Sequence, residues 1–263
     1  MQAKNYDITQ LATNIIQSSQ KGYQWRFIWG HGWGQDKHAF DNIAQSLSYL
    51  GLHVLLDFPG FGASPKPNTA WTTTDYADLV ALYLKENPYA GSTVWIGHSF
   101  GGRVGIQLCS RHPDLVDKLI LIAAAGIPLQ RSLIQWIHVK SKIYTFKVLK
   151  KLVPMTGMNI DELRRRFGSS DYKNAGGMRE IFTNVIREDL SNVAKEIICP
   201  TCLIYGEEDI DTPPGIGERL AKLIVNAEMN LLSGQDHHSL LREGRHQVSK
   251  RIRDFLIHNE RVE

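Results

Sequence analysis

Gly97-His98-Ser99-Phe100-Gly101 is the stretch of this chain best suited to chemistry. It follows an apolar run, STVWIG (92–97), and opens a segment of helical character, GGRVGIQLCSRH. A G-x-S-x-G sequence at a strand-to-helix junction makes a sharp turn that holds the serine Oγ out beyond the end of the strand. Side chains beside the serine would collide with neighbouring backbone in so tight a bend, and glycine has none. The following helix aims its N-terminal N–H groups and positive dipole end at the same point. The chemistry served is nucleophilic attack on an acyl carbon. Three fixed positions recur by chance, so the flanking strand and helix carry this reading.

A serine hydroxyl is a weak nucleophile and needs a base held by a third group. The apolar run CLIYG (202–206) is followed by four carboxylates, Glu207, Glu208, Asp209 and Asp211, and EMNLL (228–232) by two histidines, His237 and His238. His112, His246 and His258 fall on predicted helices as surface residues. Residue type and spacing leave the choice within each set open. Cys199 and Cys202 form a C-x-x-C. A redox role wants that motif at a helix N-terminus, and a metal role wants a second pair of ligands. Here it enters an apolar strand, so it reads as two small residues at a strand edge.

Six short apolar runs, at 25–29, 53–58, 92–97, 118–123, 202–206 and 228–232, are bounded by turn residues and read as buried parallel strands. Between them, Phe40, Ile43 and Leu47 mark one helical face and Tyr76, Leu79 and Leu82 another, while Val248, Ile252, Phe255 and Leu256 mark a terminal helix. Alternating strands and helices predict an α/β fold, a mainly parallel sheet flanked by helices on both faces. From 126 to 198 the pattern is helical without a strand, which predicts a helical lid inserted into a core made of 1–125 and 199–263. Within it Trp136, Val139, Ile143 and Phe146 repeat at helical spacing beside Lys140, Lys147 and Lys151. That stripe suits an apolar wall over a substrate, selecting longer acyl groups over acetyl, or a face touching anionic lipid.

At 263 residues, 43% apolar and 22% charged, the chain has the make-up of a globular protein. Nothing approaches the roughly 20 apolar residues of a membrane span, and MQAKNYDITQ lacks the pattern of a secretory signal. Three cysteines, an odd number, suit a reducing compartment, so the expected location is cytoplasmic. A formal charge of +3 without a basic tract gives no ground for nucleic-acid binding.

Five segments together resemble the α/β-hydrolase superfamily, in particular its lidded bacterial serine esterases, over nearly the whole chain. They are Gly30-His31-Gly32-Trp33-Gly34 after the first run, Asp57-Phe58-Pro59-Gly60-Phe61-Gly62-Ala63-Ser64, the Ser99 turn, Gly206-Glu207-Glu208-Asp209, and Gly234-Gln235-Asp236-His237. The resemblance implies a Ser99–His237–Asp209 triad and backbone N–H donors from Trp33 and Phe100 for a developing oxyanion. It implies no metal or organic cofactor. Asp236 stands where the family often has glycine, and Arg242-Glu243-Gly244 where it often has glutamate-x-proline, which leaves His238 as the alternative register. Asp36, Asp57 and His31 read as loop-organising residues. Serine at the elbow argues against the dehalogenases and epoxide hydrolases of this fold, which use aspartate. The implied activity is hydrolysis of a carboxylic ester or thioester. Carbon–carbon bond hydrolysis, perhydrolysis, acyl transfer and a ligand-binding role without catalysis share the same scaffold.

Overall fold

The computed structural model describes residues 6–18, 24–129, 149, 172 and 174–258. The six predicted strands are all present: β2 (Trp25–Gly30), β3 (Gly51–Asp57), β4 (Ser92–His98), β5 (Lys118–Ile122), β6 (Thr201–Gly206) and β7 (Ala227–Leu232). They pair in parallel, and all are buried as expected except β7, which forms the sheet's other edge and is mostly half-buried or exposed. A further strand, β1 (Ala12–Ile16), lies antiparallel on β3 and gives the sheet order β1-β3-β2-β4-β5-β6-β7.

Successive side chains of a strand point to opposite faces, and the core divides accordingly. Ile28, Trp95, Leu121 and Tyr205 face one side, where α2 (Thr73–Glu86), α3 (Phe100–Arg111) and α6 (Pro214–Leu223) pack on them. Phe27, Trp29, Ile96 and Ile204 face the other, against α1 (Asp41–Ser46) and α7 (Arg245–His258). The faces read from spacing are largely those buried: Phe40, Ile43 and Leu47 against one side, Tyr76 and Leu79 against the other, with Leu82 only half-buried. Val248, Ile252, Phe255 and Leu256 are likewise buried. Each such side chain stabilises the fold by about 1.5–3 kcal/mol through removal of apolar surface from water.

The chain enters the middle of the sheet at β2, runs outward to β3, then crosses back to β4 on the other side. Such a reversal of direction opens a crevice beyond the carboxyl ends of β2 and β4. Ser99 sits at that end of β4, with Gly97 paired to Gly30 of β2. Between β5 and β6 the described residues are helical, with α4 (Arg179–Arg187) and α5 (Ser191–Ala194). The stripe Trp136, Val139, Ile143 and Phe146 and the lysines beside it lie outside the described residues. No described helix is long and apolar enough to cross a membrane.

The two halves of the C-x-x-C separate across the sheet. Cys202 packs in the core on the α1/α7 face, Cys199 against the cluster on the other, near Cys109. Both are free thiols.

Candidate active site

The turn after β4 is built backwards from ordinary geometry. Ser99 has φ 49° and ψ −103°, a region that side-chain-bearing residues avoid. It is pinned from both sides: its N–H donates to the Ile122 carbonyl at 3.0 Å, and its own carbonyl accepts from Gly102, Arg103 and Ala125. A Cβ on Gly101 would lie 1.9 Å from the Gly30 carbonyl oxygen, and one on Gly97 2.3 Å from that of Gly101. Only glycines let α3 start this close to β2 and β4.

Asp209 and His237 come from the loops after β6 and β7. His237 Nδ1 lies 2.8 Å from Asp209 Oδ2, and both side chains are buried. His238, the other register, is exposed, as are Glu207, Glu208 and Asp211. The turn following β6 directs Asp209 inward because its Oδ1 accepts the backbone N–H groups of Asp211 and Thr212 at 2.9 and 2.8 Å. Burial alone pushes the Asp209 carboxyl up. The hydrogen bonds from His237 and Thr212 outweigh it and hold the group below the usual carboxylate range, ionised at neutral pH.

Thr212, which sequence reasoning did not single out, links three parts of the site. Its Oγ1 lies 2.9 Å from Asp209 Oδ2, 3.1 Å from His237 Nδ1 and 3.0 Å from the Ala123 carbonyl beyond β5. His98 is a second support: its Nε2 lies 3.0 Å from the His237 carbonyl. Burial, with His237 nearby, lowers the His98 pKa to about 3, so a neutral ring donates there. The only signal for either was adjacency to a motif, Thr212 in the acid turn and His98 within the elbow.

Ser99, His237, Trp33 and Phe100 line one cavity of about 270 Å³. Among the described residues neither the Trp33 N–H nor the Phe100 N–H has a hydrogen-bond partner. The neighbouring Gly32 N–H is taken by Gln35 Oε1 at 2.8 Å. Two free donors therefore border the space in front of Ser99, the arrangement that stabilises charge appearing on an oxygen. His31 organises the loop, as expected: its Nδ1 faces the Gly32 carbonyl and its Nε2 accepts the Phe58 N–H at 3.1 Å. Burial lowers its pKa to about 4. Asp57 likewise ties loops together, accepting from the Lys37 ammonium at 2.6 Å and the Ala63 N–H at 2.8 Å, and Asp36 caps the 3₁₀ turn through the His38 N–H.

The apolar wall within the described residues comes from α4: Phe182, Val185 and Ile186 line the cavity, and the Phe182 ring lies 4.9 Å from that of Trp33. Its sequence, REIFTNVIR, carries this face at helical spacing, although the more conspicuous stripe upstream drew the sequence reading away from it. Asp209, Asp211 and His237 place ligand atoms within 4.8 Å of one another, close enough for a cation. Asp209 already accepts four hydrogen-bond contacts, so a metal would displace the donors that fix it. The arrangement suits proton transfer better.

Comparison with known proteins agrees with this geometry. Over 217 residues the chain is 27% identical to a pimeloyl-[acyl-carrier protein] methyl ester esterase of Chromobacterium violaceum, covering 75% of this chain and 81% of the relative. It is 28% identical over 248 residues to the uncharacterized hydrolase YugF of Bacillus subtilis, covering 86% and 88%. Among solved structures, a thermophilic esterase from Thermogutta terrifontis superposes with a TM-score of 0.68 at 19% identity, covering 94% of this chain and 92% of that one. The fold is thus shared well beyond sequence similarity. The model of the alpha/beta hydrolase fold family matches residues 27–171, more than half of the chain and the whole of the Ser99 elbow with both loops beside it. That match takes in the segments carrying Trp33, Ser99 and Phe100, and the chain belongs to the α/β-hydrolase fold family.

Proposed function

We propose that this protein is a serine hydrolase that cleaves a carboxylic ester through an acyl-enzyme intermediate, with Ser99, His237 and Asp209 as its triad. The observation that carries the reading is the buried 2.8 Å Asp209–His237 pair at a cavity that Ser99 also lines. His237 Nε2 takes the proton as Ser99 Oγ attacks the ester carbon. The tetrahedral oxyanion is held by the N–H groups of Trp33 and Phe100, each donor contributing about 3–4 kcal/mol to the transition state. The intermediate collapses, the C–O bond breaks, and His237 gives its proton to the departing alcohol. Water then repeats the sequence on the acyl-Ser99 and releases the acid. Asp209 keeps the imidazole in the Nδ1–H tautomer and stabilises the imidazolium.

The Chromobacterium relative is named for an ester substrate, which supports ester hydrolysis as the class. The segment 126–198 acts in this reading as a lid, with Phe182, Val185 and Ile186 of α4 as its contribution to the acyl site. The test is covalent. A serine-directed phosphonate should label Ser99 stoichiometrically, a chromogenic ester should give burst release, and Ser99→Ala should abolish both in a folded protein. Turnover above a few per cent of wild type in Ser99→Ala excludes Ser99 as nucleophile.

A further inference from the structure

Arg103 has no place in the chemistry above, yet it lines the same cavity as Ser99. It lies in the first turn of α3, four residues after Ser99, which precedes the helix as its N-cap, and both residues line the cavity. Among the described residues its guanidinium makes one hydrogen bond, from Nη1 to the Glu188 backbone carbonyl at 3.2 Å, and no direct ion pair, although the Glu188 carboxylate is near enough to act on its charge. The Glu188 carboxylate is committed elsewhere, accepting the Thr73 N–H at 2.9 Å and the Thr73 hydroxyl. The one acid lining the cavity among the described residues, Asp211, is exposed to solvent.

A guanidinium offers five N–H donors and stays charged throughout the range in which proteins fold. Burying that charge without an anion is costly, and a structural arginine normally meets a carboxylate. This one is half-buried, with most of its donors unspent, at the edge of a space that Ser99, His237 and the apolar face of α4 also line. Its planar fork matches a carboxylate in a way no neutral acyl chain can exploit.

We propose that Arg103 is a specificity-determining residue that binds a carboxylate carried by the ester substrate, a few bonds from the scissile carbonyl. This inference rests on the serine-hydrolase reading for the reaction, but the binding it describes is independent of turnover. The anion can belong to the acyl part, as in a hemi-ester of a dicarboxylic acid, or to the alcohol. Two matched pairs of probes separate these sources. For the acyl side they are 4-nitrophenyl hydrogen glutarate and the isosteric neutral 4-nitrophenyl glutaramate. For the alcohol side they are the butyrate esters of 4-hydroxybenzoate and 4-hydroxybenzamide.

In the wild-type protein the carboxylate member of one pair should exceed its amide by at least about tenfold in kcat/KM, the range of one charge-assisted hydrogen bond. Arg103→Gln should remove that preference through KM, and Arg103→Lys should restore part of it, since a point charge replaces the fork. Free glutarate should raise the melting temperature of the wild-type protein more than glutaramide does, and this difference should vanish in Arg103→Gln. If neither pair shows a preference in the wild type, or the preference survives Arg103→Gln within threefold, the proposal is overturned. If no ester is turned over and the phosphonate leaves Ser99 unlabelled, the hydrolase reading fails, and the glutarate shift alone decides the fate of the carboxylate site. Absence of that shift then rejects it.

Discussion

Replacing Ser99 by glycine should make the protein more stable than replacing it by alanine, a reversal of the usual order. Both variants lose the hydroxyl proposed as nucleophile. At an ordinary position glycine costs about 0.5–1 kcal/mol relative to alanine, because the unfolded chain has more conformations to lose. At φ 49° and ψ −103° a residue with a Cβ carries strain of about 1–3 kcal/mol. Alanine cannot escape it, because the Ile122 carbonyl holds the Ser99 N–H and three backbone N–H groups hold its carbonyl. Nor can the turn relax sideways, with Gly97 and Gly101 already against backbone oxygens. Glycine keeps those bonds without the strain. Taking the middle of both ranges, it gains about 1 kcal/mol over alanine. With about 2.1 cal/mol/K of unfolding entropy per residue, a chain of 263 residues shifts its melting temperature by about 2 °C for that difference. Urea titration and calorimetry of the two purified variants would measure it. A glycine variant less stable than alanine by the ordinary 0.5–1 kcal/mol would show that the elbow stores no strain, and the account of the turn given above would be wrong.

Asp209→Asn should lower kcat by several orders of magnitude through loss of tautomer control, while Asp211→Asn, at an exposed side chain, should cost less than tenfold; steady-state kinetics on one chromogenic ester ranks them. Thr212→Val keeps the shape but removes the hydroxyl shared by Asp209, His237 and the Ala123 carbonyl. It should cost about 1–3 kcal/mol of stability in urea titration and lower kcat without much change in KM. His31 and His53 are buried, and burial lowers both pKa values to about 4. Folding therefore keeps them neutral, their contribution is complete above pH 6.5, and it is lost as the unfolded chain takes up protons on the way down to pH 4. Between pH 7 and pH 5 each should cost about 2 kcal/mol in urea-determined stability. A flat profile over that window would mean that both rings bind protons in the folded state as readily as in the unfolded chain.

The central strands were legible because each is buried on both faces and so reads as a continuous apolar run. β1 was not. It lies at the edge, pairs with β3 alone, and its ATNII carries Thr, Asn and a half-exposed Ile15 where a central strand would carry hydrophobics. The elbow was legible because Ser99 needs its glycines adjacent in sequence. Asp209 and His237 are different, since each competes with a chemically identical neighbour two or one positions away. What separates them is the turn that folds Asp209 inward and leaves Asp211 in solvent, and the tether from His98 that fixes the His237 backbone. Thr212 is further still from sequence reasoning, because its role depends on where the Ala123 carbonyl ends up, 89 positions away. The α4 wall was hidden by a louder apolar stripe.

The bond from the Leu190 N–H to the Gly126 carbonyl, 2.8 Å long, joins two points of the chain more than sixty residues apart. The chain between those two residues is a loop with fixed ends, and its described residues Ile127, Met178, Ile181 and Val185 pack into the core beside them. Holding the ends of about sixty residues together costs only about 2 kcal/mol more than holding a five-residue turn, because closure entropy grows with the logarithm of length. On closure entropy alone, the length of this segment could change by many residues at small cost while Ser99, Asp209 and His237 keep their places at the strand ends.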